Sequence, residues 1–254
     1  MKIAALASGS SGNCFYIRNK DSSILVDAGI SCKRIVERIS LLGENAGSLK
    51  GIFVTHEHTD HTRGVDVLAR KFSVPIFATK GTIGNSFLCS DEELINEIKN
   101  DDIIKLAGLE IEAFSKPHDA ADPVSFAIRN GKMIAILTDI GHASKNVVNA
   151  VRDSDFLVLE SNHDLKMLRE GPYPYFVKRR IESDIGHFSN LHSGLCVLEH
   201  ANKKLKNVVL AHLSEINNTP LLALNTFQNL MKERLDLRPE ISLSLRSPTE
   251  LFSV

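Results

Sequence analysis

The sequence predicts an α/β fold in which two mixed β-sheets face each other and helices cover their outer sides. Short apolar runs with turn residues between them indicate strands, and segments with helical spacing of apolar residues alternate with these runs in both halves of the chain. No linker, internal repeat or low-complexity segment interrupts this order. We therefore expect residues 1–254 to form one domain.

The first half of the chain is rich in predicted strands. They cover residues 3–7, 14–18, 23–27 and 52–55, and turn residues at 9–13 and 19–21 separate the first three. Apolar residues at helical spacing, followed by Gly43, predict a helix over 31–42. Further helices are predicted over 63–72, 80–89 and 91–99.

The second half begins with a further set of predicted strands, over 103–106, 109–114, 124–129 and 133–137. The pair Asn130-Gly131 predicts a tight hairpin between the last two. Helices over 146–151, 191–201 and 221–235 then alternate with strands over 156–160, 208–211 and 241–245.

Three histidines and an aspartate follow the predicted strand 52–55, at His56, His58, Asp60 and His61. Imidazole suits zinc, manganese or iron, and a carboxylate adds charge for a second ion. An extended backbone points His56 and His58 to the same side, whereas Asp60 and His61 are adjacent where the chain turns into a helix. One ion cannot easily take all four, so the pattern predicts two metal ions side by side.

Three more candidate ligands come just after predicted strands: His118, Asp139 and His212. Because strand ends share one edge of a sheet, we expect these side chains to converge on the histidine motif. Only about seventy residues separate Asp139 from His212. A clamping cap domain would not fit there beside the predicted elements.

Composition excludes several classes of protein. A hydrophobic content of 43% and a charged content of 24% are ordinary for a globular protein, and a net charge of −1 excludes a bulk polycation. A nucleic acid would therefore be bound through a local patch or through metals. The four cysteines are scattered, no apolar run approaches a membrane span, and the N-terminal run is too short for a signal peptide. We expect a cytoplasmic protein with reduced thiols.

The motif resembles the H-x-H-x-D-H signature of the metallo-β-lactamase superfamily. Residues 8–14, 117–120, 138–139, 160–164, 186–190 and 211–220 narrow the resemblance to the YycJ/WalJ-type branch of bacterial proteins with this fold. The resemblance runs nearly end to end. It implies a four-layer αββα sandwich, two divalent ions (Mn²⁺ or Zn²⁺) and the activity of a 5′-to-3′ DNA exonuclease. His142 stands where the branch usually has an aromatic residue.

The resemblance also implies which residues hold the ions. The first ion would take His56, His58 and His118, and the second would take Asp60, His61 and His212. Asp139 would bridge both ions, because a carboxylate has two oxygens. Asp27 either orients a ligand or caps a turn.

Secondary candidates lie in the second half of the chain. His187 precedes the helix over 191–201, where it could bind phosphate or act as a general acid, and Ser189-Asn190 is a plausible cap for that helix. His163 either faces the site, or stands at a helix start that Asn162 caps. The run 178–180, near Tyr173 and Tyr175, either holds a nucleic-acid backbone or is a solvated basic face.

The leading hypothesis is a binuclear metal-dependent phosphodiesterase that acts on DNA, with catalysis by Asp60 and His187. Two cations would lower the pKa of a bridging water, and the resulting hydroxide would attack phosphorus in line. A small-molecule hydrolase that cleaves a thioester, a lactone or a cyclic phosphodiester is the alternative, because a net charge near zero is compatible with either. A metal-stabilised binding protein without turnover is a third class, which the complete ligand set disfavours.

Overall fold

The structure is a computed structural model that describes residues 1–254. Its strands, in chain order, are β1 (Lys2–Ala7), β2 (Cys14–Asn19), β3 (Ser22–Val26), β4 (Leu49–Phe53), β5 (Ile76–Thr79), β6 (Ile95–Ile98), β7 (Ile103–Leu106), β8 (Leu109–Ser115), β9 (Val124–Asn130), β10 (Lys132–Leu137), β11 (Phe156–Glu160), β12 (Asn207–Ala211), β13 (Glu240–Leu243) and β14 (Phe252–Ser253). The helices are α1 (Cys32–Leu41), α2 (Thr59–Thr62), α3 (Val65–Phe72), α4 (Lys80–Asn85), α5 (Lys145–Asp153), α6 (Leu165–Glu170), α7 (Tyr175–Ile181), α8 (Asn190–His200) and α9 (Pro220–Met231).

The strands form two seven-stranded sheets, in the orders β14-β1-β2-β3-β4-β5-β6 and β13-β12-β11-β10-β9-β8-β7. Each sheet contains antiparallel pairs at one end and parallel pairs at the other. The prediction of two mixed sheets with helices is therefore confirmed. No helix of the molecule is both long enough and apolar enough to cross a membrane.

The chain divides into two compact units. The first comprises Met1–Ser115, Ala120–Asn130 and Leu245–Val254, and the second comprises Lys116–Asp119 and Gly131–Ser244.

In the first unit, parallel pairing places the ends of β3 and β4 side by side, because Val26 lies opposite Phe53. The backbone N–H of Asp27 donates to the carbonyl of Phe53 (2.8 Å), so the pairing continues one residue past β3. Apolar residues of both strands, Leu25 and Ile52 among them, are fully buried. A buried core thus fixes where the residues after these strands emerge.

In the second unit, β10, β11 and β12 are parallel and in register. Leu137 lies opposite Leu159, Leu159 lies opposite Leu210, and Glu160 lies opposite Ala211. The carboxyl ends of the three strands therefore reach the same edge, which is where open α/β sheets bind ligands. Buried aliphatic residues fill all three strands.

Most predicted elements are present within a few residues, but one prediction is wrong. Residues 91–99 form a single 3₁₀ turn at Glu92–Leu94 followed by strand β6, where we predicted a helix. The segment mixes charged residues with apolar ones at three-residue spacing, which favours a helix locally. Parallel pairing of β6 with β5 overrides that preference. Strands β5 and β14 and helix α7 were not predicted from the sequence, and α6 was predicted only as one of two alternatives for the segment around His163.

Candidate metal centre

The histidine motif of the first unit begins three residues after the end of β4, and α2 carries Asp60 and His61. His56 and His61 are fully buried. His56 Nε2 lies 3.0 Å from His58 Nδ1. Two nitrogen ligands on one tetrahedral zinc ion are separated by roughly 3.3 Å, given zinc–nitrogen bonds of about 2.0–2.1 Å. These two imidazoles therefore fit a common ion.

A buried hydrogen-bond network sets the tautomers of His56 and His61. Thr55 donates its backbone N–H to Asp27 Oδ1 (2.8 Å) and its hydroxyl to Asp27 Oδ2 (3.0 Å). Because the hydroxyl proton goes to Asp27, Thr55 Oγ1 accepts from His56 Nδ1 (2.9 Å). His61 Nδ1 donates to Asp27 Oδ2 (2.7 Å). Both rings then carry their lone pair on Nε2, the atom that a metal would take.

Asn13 is a further buried contact of this motif. Its side-chain amide lies 3.3 Å from Asp60 Oδ2 and 3.1 Å from His61 Nε2. The backbone N–H of Asn13 donates to the carbonyl of Asp60 (2.7 Å). A Cβ atom at Gly29 would lie 1.7 Å from that same carbonyl oxygen, so only glycine allows this approach. The loop 8–13 therefore holds the segment that carries Asp60.

The second unit gathers four potential ligands: Asp139, Glu160, His187 and His212. One ligand atom from each lies within 4.8 Å of the others. All but the half-buried His187 are buried. Carboxylate oxygens and imidazole nitrogens in such proximity match the preferences of divalent transition metals, so this donor set fits a metal ion.

Glu160 is fully buried and accepts four hydrogen bonds. Oε2 accepts from the backbone N–H groups of Ile140 (2.7 Å) and Phe188 (3.0 Å). Oε1 accepts from His187 Nδ1 (2.8 Å) and His212 Nδ1 (2.7 Å). Burial alone would raise the pKa of Glu160, but the charge and hydrogen bonds of the two histidines outweigh it and hold the pKa below its usual range. An ionised Glu160 accepts the Nδ1–H of both rings, so each ring in its neutral form carries its lone pair on Nε2.

His118 is buried beside Asp139. Its Nε2 lies 4.0 Å from Asp139 Oδ1, and its Nδ1 lies 3.3 Å from the carbonyl of Gly186. Burial lowers the pKa of His118 to about 3, and the nearby Asp139 offsets only part of that effect. His118 is therefore neutral at physiological pH, as a metal ligand must be. The buried Lys116 donates to the carbonyl of Thr138 (2.9 Å), and its Nζ lies 4.0 Å from Asp139 Oδ2.

Three residues within two positions of a strand end have left-handed backbone: Asp27 (φ 59°), Asp139 (φ 59°) and His212 (φ 55°). Such angles are uncommon for residues other than glycine, and they cluster at functional sites. The backbone turns at the ends of β3, β10 and β12 in a conformation that regular pairing would not require. Sheet formation does not account for the backbone conformation of these three residues, which is consistent with a functional role.

The secondary candidates all lie in the second unit. His163 is buried, and its backbone bridges to that of Ser189. Asp164, and not Asn162, caps α6 by accepting from Met167 N (2.9 Å). The prediction that Asn162 caps this helix is therefore wrong, because α6 begins at Leu165, two residues later than a cap at Asn162 would place it.

Ser189 caps α8 by accepting from His192 N (3.1 Å). Asn190 is the first residue of that helix and is buried. Its side chain accepts from the Ser161 hydroxyl (2.6 Å) and exchanges hydrogen bonds with the amide of Asn218 (2.9 and 2.8 Å). These contacts make Asn190 part of a buried polar network.

The sequence-predicted site residues thus fall into two groups. The first unit holds Asp27, His56, His58, Asp60 and His61, and the second holds His118, Asp139, His163, His187, Asn190 and His212. Sequence reasoning missed Glu160, Thr55 and Asn13 as contacts of these residues. The signal for Glu160 was a carboxylate at the end of the apolar run Phe156–Glu160, where a buried charge requires partners.

Comparisons with known proteins agree with the motifs. The family model of the Metallo-beta-lactamase superfamily matches residues 7–177. The chain is 36% identical to Exodeoxyribonuclease YycJ of Bacillus anthracis, over 92% of this chain and 90% of that protein. It is also 36% identical to Exodeoxyribonuclease WalJ of Streptococcus pneumoniae serotype 2 (strain D39), over 91% of this chain and 88% of that protein. The metallo-beta-lactamase fold protein YhfI from Bacillus subtilis has a similar fold, with a TM-score of 0.71, 13% identity and 98% of each chain covered.

Proposed function

The chain belongs to the metallo-β-lactamase superfamily, and on that premise we propose that it is a binuclear metal-dependent phosphodiesterase that degrades DNA from the 5′ end. One observation carries the choice of substrate: the relatives matched over about nine-tenths of both chains are named exodeoxyribonucleases. Because the aligned region covers about nine-tenths of each protein, the similarity is not confined to the metal-binding motif.

We assign the ligands as the resemblance implies. One ion would be held by His56, His58 and His118, the other by Asp60, His61 and His212, and Asp139 would be shared between them. The spacing of His56 and His58, and the Nε2 lone pairs of His61 and His212, support this assignment. Nitrogen and carboxylate donors without a thiolate favour Zn²⁺ or Mn²⁺.

Two bound cations supply a nucleophile at neutral pH and neutralise the charge of the scissile phosphate. The residues of the chain supply orientation. Asp27 and Glu160 each accept from a histidine Nδ1–H, which stabilises one orientation and one tautomer of that ring. Such fixed orientation matters because an error of about 1 Å in the position of reacting groups can cost a hundredfold in rate.

His187 has a separate role in this proposal. Its ring is partly exposed, whereas Asp139, Glu160 and His212 are buried. Its Nδ1 is held by Glu160, so Nε2 is the atom that can meet a substrate. A histidine in this place can position the phosphate or protonate the departing 3′ oxygen.

The test uses purified protein with Mn²⁺, with Zn²⁺ or with chelator, on DNA and RNA labelled at either end. A 5′-to-3′ exonuclease releases labelled mononucleotide at once from 5′-labelled DNA and gives a ladder of shortening fragments from 3′-labelled DNA. A generic ester and a simple phosphodiester run alongside. Rapid turnover of the ester with intact DNA would contradict the proposal and favour a small-molecule hydrolase.

A further inference from the structure

Helix α7 presents an unusual combination of side chains to solvent. None of its seven residues is buried. Its first two residues are aromatic and largely exposed, Tyr175 at 76% and Phe176 at 72%. Its last turn carries three consecutive basic residues, Lys178, Arg179 and Arg180. A single exposed aromatic side chain is common on protein surfaces, but an adjacent pair beside a basic cluster indicates a binding surface.

Helical spacing brings the two kinds of side chain together. Residues three and four apart are neighbours on a helix surface, so Arg179 lies beside both Tyr175 and Phe176. No carboxylate forms an ion pair with Arg179, nor with Lys178, whose Nζ donates to the carbonyl of Arg169 (2.8 Å). Both positive charges are therefore available to an anionic ligand.

The basic cluster also anchors α7 to the loops that carry two site residues. Arg180 Nε donates to Asp119 Oδ2 (2.7 Å), and Asp119 directly follows His118. The backbone N–H of Asp119 donates to the carbonyl of Ile185 (2.9 Å). Arg180 therefore serves as a tether, and the other two basic residues remain for binding.

The carboxyl end of α7 packs tightly on the turn that leads to His187. The backbone N–H of His187 donates to the carbonyl of Ile181, the last residue of the helix (2.9 Å). A Cβ atom at Gly186 would lie 2.2 Å from that carbonyl oxygen and 2.3 Å from that of Arg180, so no side chain fits there. The carboxyl end of α7 therefore lies next to the turn that carries His187, one of the four potential ligands of the second unit.

We propose that Tyr175, Phe176, Lys178 and Arg179 form a docking surface for a single-stranded segment of the DNA substrate. This inference rests on the proposed nuclease function and names the residues that hold the strand being degraded. Aromatic side chains stack on unpaired bases, and adjacent Lys and Arg contact the phosphates. The chain as a whole has a net charge of −1, so attraction of a polyanion must come from such a local cluster.

Charge complementarity distinguishes this occupant from others. A second copy of the chain would bring the same positive cluster against itself, which is unfavourable. A purely apolar partner would leave the positive charges of Lys178 and Arg179 without a counter-charge. A flexible single strand offers both π-faces and negative charge at the spacing of one nucleotide.

The test measures the Kd of a fluorescein-labelled, phosphorothioate single-stranded oligonucleotide by anisotropy, since that backbone resists cleavage. Tyr175→Ala and Phe176→Ala should each raise the Kd by about five- to a hundredfold without changing its salt dependence. Arg179→Ala should raise the Kd and lower the slope of log Kd against log salt by about 0.7, the value for one phosphate contact on a single strand. A blunt duplex, whose bases are already stacked, should be less sensitive to the two aromatic changes.

Matched controls come from the first unit. Phe87→Ala removes an aromatic residue that is 72% exposed, and Arg34→Ala removes an exposed arginine on α1. Both should bind the oligonucleotide as the wild-type protein does. Thermal unfolding of every variant checks that the fold is intact.

Each outcome decides one claim. If the α7 variants bind like their controls, the docking surface is wrong, even where the wild-type protein cleaves DNA. If they bind more weakly but the wild-type protein cleaves no DNA, the docking surface stands and the nuclease proposal fails. Concentration-dependent self-association that Phe176→Ala abolishes would overturn the inference in favour of a second copy.

Discussion

Glu160→Gln tests whether Glu160 sets the tautomers of His187 and His212. Glu160 accepts from two backbone N–H groups and from the Nδ1 atoms of His187 and His212, all at 2.7–3.0 Å. Glutamine offers only one acceptor oxygen. The backbone groups of Ile140 and Phe188 cannot change their chemistry, so the amide oxygen must stay with them. The amide NH₂ group then faces the two imidazoles.

A donor facing Nδ1 forces each ring to place its lone pair there and its proton on Nε2. His212 would then present a proton where the proposed metal binds. Loss of an orienting carboxylate typically costs about ten- to a hundredfold in metal affinity, or about 1.4–2.8 kcal/mol. Replacing charge-assisted hydrogen bonds by neutral ones should also lower the free energy of unfolding by about 1–3 kcal/mol.

Competition with a chromophoric chelator measures the affinity, and ¹⁵N chemical shifts of the histidine rings report the tautomer. Glu110→Gln is the control, because Glu110 is an exposed surface residue that pairs with Lys105 (3.2 Å). Wild-type metal affinity in Glu160→Gln, with Nε2 still bearing the lone pair, would show that Glu160 does not set the tautomer of these histidines. A loss of stability alone would reduce Glu160 to a structural residue.

Three further substitutions test the shared metal ligand, the substrate-facing histidine and a buried histidine. Asp139→Ala should lower the rate on end-labelled DNA by more than about a hundredfold, which corresponds to a barrier higher by about 3 kcal/mol, because the shared carboxylate would fix the spacing of the ions. Near-normal turnover and metal content in this variant would contradict the prediction. His187→Ala should keep both metals yet slow cleavage by roughly ten- to a thousandfold, and a better leaving group should shrink the defect if His187 is a general acid. Burial lowers the pKa of His163 to about 4, so the unfolded chain binds a proton there that the folded protein does not. Protonation of His163 in the unfolded chain has little effect on the free energy of unfolding above pH 6.5. It lowers that free energy progressively as the pH falls from 6.5 toward 4. Between pH 7 and pH 5, the free energy of unfolding of the metal-free wild-type protein should therefore fall by roughly 2 kcal/mol more than that of His163→Gln. Denaturant unfolding at both pH values measures this difference, and an equal fall in the two proteins would contradict the prediction.

The sequence predicted the strands best where they are buried. The runs at 133–137, 156–160 and 208–211 are almost entirely apolar, and all three are strands of the second sheet. Strand β5 was missed because it has only four residues and Pro75 precedes it. Strand β6 was mistaken for a helix because its own residues do not determine its structure, which depends on pairing with β5.

In the candidate site, too, the local sequence predicts some features, whereas others depend on how the strands pair. The sequence predicted that His56, Asp139 and His212 follow strands and that His61 lies where the chain turns into a helix, and the structure has these local positions. The carboxylate partners of these residues depend on register. Glu160 reaches His212 because β11 and β12 pair with Glu160 opposite Ala211, and no local pattern encodes that pairing. Tertiary hydrogen bonds are therefore the part of the site that required the structure.

The two-metal site is tested most directly by a titration of metal-free protein with Mn²⁺ or Zn²⁺ while the rate on 5′-labelled DNA is followed. We expect the protein to bind two equivalents, with activity that rises steeply only as the second equivalent binds. We also expect His61→Ala and His212→Ala each to bind close to one equivalent and to lose activity. Saturation at one equivalent in the wild-type protein, with the same stoichiometry in both variants, would contradict the two-metal account.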